Sequence, residues 1–206
     1  MIVEARAILN TEKIQMMAKR LRDILEDDDR DLDDMDDMEL MCFASLAHHG
    51  LLGSIDKLEL HDVDLSPVPA KHLASLASCV TSEVNIQYAS YFDRVSLLTS
   101  LKCETLFIGG SERLGREETQ ALVQAMESGV ETVQLGGPVT LDVVALDEYR
   151  GQGVCQKVDL IGRTVVRYKE DLSKWARSRD WREKKVYVGD HYRWTFTKPE
   201  AEEDEE

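Results

Sequence analysis

Apolar and polar residues alternate over six short stretches of the chain, each built on an apolar–x–apolar core. They are Leu58-Glu59-Leu60, Val84-Asn85-Ile86, Leu106-Phe107-Ile108, Val133-Gln134-Leu135, Val158-Asp159-Leu160 and Val186-Tyr187-Val188. Alternation places both apolar residues on one face of a strand and the residue between them on the other. Behind each of the first five stretches the period changes to a helical one. Leu73, Leu76 and Val80 follow the first, Val95, Leu98 and Leu101 the second, and Leu122, Val123 and Met126 the third. Val144, Leu146 and Tyr149 follow the fourth, and Val165, Tyr168, Leu172 and Trp175 the fifth. Pro67 and Pro69 hold back the first of these helices. Gly129 and Gly151 stand where a helix is expected to leave through a left-handed residue.

The six pairs begin at residues 58, 84, 106, 133, 158 and 186, so the intervals are 26, 22, 27, 25 and 28. A period in this range predicts stacked units of one strand and one helix. One such unit cannot bury its own apolar face, so stacking creates the core. The expected fold class is α/β: six short parallel strands with helices on one outer side, joined by right-handed crossovers. An apolar residue three places before the strand pair repeats as Ile55, Cys103, Val130 and Cys155, whereas Thr81 stands there in the second unit.

The first unit is the most regular: Ile55, Leu58, Leu60, Val63 and Leu65 follow L-x-x-L-x-L-x-x-N-x-L, with Val63 at the asparagine position. With the period, this resembles the leucine-rich-repeat superfamily in its irregular, ribonuclease-inhibitor-like form, over residues 37–190. The asparagine ladder of that motif is missing. The resemblance implies a solenoid with strands on a concave side, helices on a convex side, and partners docked on the strands. The alternative is a chance recurrence of apolar pairs in an ordinary α/β domain. A doubly wound sheet would carry phosphate-binding glycines, yet Gly109-Gly110 and Gly136-Gly137 lack the G-x-G-x-x-G form.

The ends differ from the middle. Residues 1–26 read as an amphipathic helix, with Ile14, Met17, Ala18, Leu21, Ile24 and Leu25 on one stripe. That helix either caps the first repeat, binds a partner or self-associates. Residues 27–39 hold nine acids and one base and read as a solvated linker. A calcium loop is the competing reading, but Leu32 and Met38 occupy the places that need glycine and glutamate. Residues 40–198 form the array, and 199–206 read as a disordered acidic tail.

Formal net charge is −15, which disfavours nucleic acid or an anionic membrane as partner. No apolar run reaches the roughly 18 residues of a membrane span, and the first residues lack a secretory signal pattern. All three tryptophans, Trp175, Trp181 and Trp194, lie near the far end. Nine bases face four acids between Arg163 and Lys185. Aromatics among bases can hold a nucleic-acid strand, but closure of the array end is the favoured reading. Cysteines at 42, 79, 103 and 155 form no C-x-x-C pair and read as thiols of a cytoplasmic or nuclear protein. No catalytic constellation is recognisable, and no cofactor or metal is expected.

Function is therefore expected on the strands. The residues between the apolar pairs include Glu59, Phe107, Gln134, Asp159 and Tyr187, with Ile161 beside them. These six are the candidate partner-binding residues, with Phe107 and Tyr187 as aromatic anchors. Glycines 109, 136 and 189 would leave room for a partner to approach. Alternatively, Phe107 and Ile161 pack against neighbouring strands. The function read from the sequence is a non-enzymatic scaffold binding a protein partner. The alternative is an acidic chaperone or regulator of basic proteins such as histones, suggested by resemblance to acidic-tailed leucine-rich nuclear proteins.

Overall fold

The computed structural model describes residues 16, 19, 31–32, 35–88, 94–110, 114–137, 139, 141–149, 153–161, 169–188 and 191–199. Its frame is an open, mostly parallel sheet. The strands are β1 (Asp31–Leu32), β2 (Ile55–His61), β3 (Val80–Gln87), β4 (Thr105–Gly109), β5 (Thr132–Gly136), β6 (Lys157–Ile161), β7 (Arg182–Val188) and β8 (His191–Thr197). The helices are α1 (Asp37–His48), α2 (Ala70–Ala77), α3 (Arg94–Ser100), α4 (Arg116–Ser128), the single turn α5 (Val143–Leu146) and α6 (Lys169–Arg177). Consecutive helices are neighbours in chain order. Strand order is β1-β2-β3-β4-β5-β6-β8-β7.

The register follows the interval pattern. Leu58, Val84, Leu106, Val133 and Val158 align across β2 to β6, and Leu60, Ile86, Ile108, Leu135 and Leu160 align two residues on. Both rows are buried, so every unit adds two apolar side chains to one continuous core. The preceding row is also buried: Ile55, Val80, Cys103, Val130 and Cys155. Val80, not Thr81, fills it in the second unit. The register slips between Ile55 and Lys57, leaving one extra residue on β3, a bulge that restores the face downstream. Burial pushes the Cys103 and Cys155 thiols up to about 11. Each Sγ donates to the carbonyl two residues on, 3.4 Å away. They are inert packing groups.

Three expectations need correction. First, the sixth parallel strand is not next to the fifth. β8 lies between β6 and β7 and is antiparallel to both. Phe196, fully buried, drives this insertion by continuing the core row opposite Val158. Second, part of the acidic run is folded. Asp31 and Leu32 pair in parallel with Lys57 and Leu58, and Leu32 and Met35 are buried. Asp36 caps α1, accepting from Met38 and Glu39 at 2.9 Å, while Glu39 accepts back from the Asp36 amide at 3.1 Å. These acids thus serve a helix start.

Third, Gly129 has φ −151°, so it is not a left-handed exit. A Cβ there would lie 2.1 Å from the Leu101 carbonyl oxygen. Close backbone approach selects that glycine. The expected N-terminal helix and the tail beyond residue 199 lie outside the described residues, except for helical positions 16 and 19. Of the far-end tryptophans, Trp175 and Trp181 are buried around Tyr149 and Trp194 is partly buried against the core, and the Trp175 indole donates to the Leu146 carbonyl at 3.1 Å.

Candidate functional site: the polar face of the sheet

Opposite the apolar rows, the parallel strands carry a second face of partly exposed residues. Pairing aligns Glu59, Asn85, Phe107, Gln134 and Asp159 across it. At its β2 side the polar groups hold one another. Lys57 Nζ lies 2.7 Å from Glu59 and 3.8 Å from Glu83. Gln87 donates to the Asn85 side chain at 3.0 Å.

Phe107 sits half-buried at the middle of this face. Its ring covers the backbone of its own strand and the next. A Cβ on Gly109 would come within 2.4 Å of the ring, and one on Gly136 within 2.6 Å. The room expected for a partner at those two glycines is therefore filled by Phe107 itself; Gly189 lies outside the described residues. Ile161, half-exposed, pairs in register with Gly136.

Asp159 is buried completely. Its carboxylate accepts from Arg193, from the Thr195 hydroxyl at 2.7 Å and from Lys157 at 3.2 Å. Desolvation raises its pKa, but the hydrogen bonds from Arg193, Thr195 and Lys157 outweigh that and hold it below the ordinary carboxylate value. This group therefore ties β8 to β6 and presents no free oxygen to a partner.

Tyr187 is exposed, but pairing separates it from the other candidates. Asp159 aligns with Thr195 and thence with Lys184, while Val158 aligns with Phe196 and Glu183. Tyr187 shares the parity of Glu183, whose carboxylate meets Ser173 and Arg177 of α6. It therefore belongs to the helix-bearing face, opposite to Phe107. The structure places Glu59, Phe107, Gln134 and Ile161 on one face of the sheet, buries Asp159 beneath Arg193, and puts Tyr187 on the other face.

Tyr88 was not among the candidates, yet its ring covers Gly110, next to the Gly109 that Phe107 covers. Every strand from β2 to β5 exits through a residue at positive φ: Asp62 at 52°, Tyr88 at 53°, Gly110 at 88° and Gly137 at 72°. Later units place glycine there, at no steric cost. A tyrosine costs about 1–2 kcal/mol in that conformation. Its ring is half-exposed, lies on Gly110 within 2.9 Å of where a Cβ would stand, and meets His61 edge-on with centroids 5.9 Å apart. The sequence signal was a tyrosine directly after β3, where glycine directly follows β4 and β5. Tyr88 and Phe107 thus lie over consecutive glycines at the end of β4.

Among the described residues no helix is long and apolar enough to cross a membrane, and no group of three or more His, Cys, Asp or Glu side chains is arranged to hold a metal. No protein-family model, curated protein or solved structure matches the chain.

Proposed function

We propose that this chain is a non-enzymatic interaction module: a short leucine-rich-repeat-like solenoid that docks a protein partner on the polar face of its strands. The observation that carries this reading is the placement of two aromatic rings over consecutive glycines at the end of β4, Phe107 over Gly109 and Tyr88 over Gly110. Aromatics held by backbone lose little conformational freedom on binding. Buried at the centre of a contact, each supplies about 2 kcal/mol or more. Tyr88 is kept in a costly backbone conformation that a glycine would relieve, and such strain concentrates at binding sites. Glu59, Gln134 and Ile161, on the same sheet face as Phe107, set the register of the partner.

A photo-crosslinking residue placed at Gln134 tests this, with Gln124 on the exposed side of α4 as the control position. The expected result is a discrete cross-linked partner from Gln134 alone, lost when Phe107→Ala or Tyr88→Ser is added. Equal cross-linking from both positions, or cross-linking unaffected by either aromatic substitution, would refute the reading.

A further inference from the structure

We propose that the outer edge of β7 is a docking edge for an extended acidic segment, and that residues 200–206 of this same chain occupy it. The observations are independent of the Phe107 region. β7 ends the strand order, so no strand among the described residues pairs with its outer side. It carries Arg182, Lys184 and Lys185 in a chain whose net charge is −15. Arg182 and Lys184 share the polar face of the sheet. Neither has an ion-pair partner among the described residues.

Bases on an edge strand discourage pairing with another copy. Two β7 edges meeting antiparallel would bring these like charges together. The same charges favour an acidic strand, and the chain supplies one where it is needed. Thr197, the last residue of β8, is paired with Arg182, the first residue of β7. The sequence that follows Lys198-Pro199 is Glu-Ala-Glu-Glu-Asp-Glu-Glu. Passing around β7 requires about 10 Å, two strand spacings. About three extended residues span that distance. The remaining four, Glu203 to Glu206, are all acids and would run alongside Arg182 to Lys185. Tethering gives such a segment an effective concentration in the millimolar range, so it holds the edge against other acidic segments.

The test compares the full chain with one ending at Pro199, using a fluorescein-labelled peptide of residues 200–206 as the probe in low salt. The shortened chain is expected to bind the peptide, more weakly as salt rises. For a peptide dissociation constant of about 0.1 mM, millimolar competition in cis lowers the apparent affinity of the full chain about tenfold. Absence of binding to the shortened chain, or equal binding by both chains, overturns the proposal. Arg182→Glu with Lys184→Glu in the shortened chain should abolish binding, whereas Phe107→Ala should leave it unchanged. Binding that survives the double charge reversal overturns the proposal. Should that variant not fold, hydrogen exchange decides on the parent sequences. Amides between Arg182 and Lys185 must exchange more slowly in the full chain than in the shortened one, and equal rates refute the docking.

Discussion

Replacing Asp159 with asparagine removes one charge from the interior of the sheet while keeping its volume. The carboxylate is wholly buried and accepts from Arg193, Thr195 and Lys157. Breaking a buried pair by deleting one partner costs about 3–5 kcal/mol. Arg193 and Lys157 are 34 % and 37 % exposed, so water takes over part of their solvation. The expected loss is therefore about 2–3 kcal/mol. At about 2–4 °C per kcal/mol for a domain of this size, the melting temperature should fall by about 5–10 °C. Thermal unfolding followed by circular dichroism measures this directly. The folded carboxyl titrates below its ordinary 3.8, so its contribution is present above that value and lost as pH falls through the folded pKa. The difference between parent and variant should consequently shrink on acidification below the ordinary value. Hydrogen exchange should speed up first in β8, which this group fastens to β6. A variant within about 0.5 kcal/mol of the parent, the range of neutral surface changes, would show that the carboxylate does not hold the hairpin in place.

Two further substitutions probe the glycine contacts. Gly129→Ala forces a Cβ into the Leu101 carbonyl, a backbone atom that cannot swing aside; a loss of about 2–3 kcal/mol by denaturant titration is expected. Gly136→Ala meets only the edge of the Phe107 ring, so it should cost about 1 kcal/mol or less of stability while displacing the ring. Cross-linking from Gln134 should then weaken although Phe107 is still present.

The parallel part of the sheet was legible because each strand carries its own alternation and each interval leaves room for one helix. Leu58 and Leu160 need no distant information to show which way they face. The C-terminal hairpin was not legible in the same way. Val186, Tyr187 and Val188 are all apolar, so their alternation is silent about the face, and a one-residue choice reverses every side chain. The missing clue was Gly189-Asp190 between two β-rich stretches, a two-residue hairpin signal. Asp159 stands in the expected column, but its burial was hidden for the same reason: its partners Arg193 and Thr195 lie 34 and 36 residues downstream, on the strand that went unrecognised. Leu32 was hidden by charge, since one buried leucine among nine acids has no periodic neighbour to support it. Gly129 was recognised as special but for a conformational reason, when the cause is a neighbouring carbonyl that only the packed units bring near.

A parallel array is open to growth, because each terminal strand offers the next unit the same edge it used itself. The reversal at β8 ends that recursion. β6 gives its free edge to a strand running the other way, and a further strand-and-helix unit added beyond β7 would meet none of the apolar rows that Leu58 and Leu60 begin. Between β2 and β6, by contrast, an inserted strand-and-helix copy would find a parallel edge on both sides. At that end the hairpin acts as a stop signal written in strand direction, turning the run of parallel neighbours back on itself.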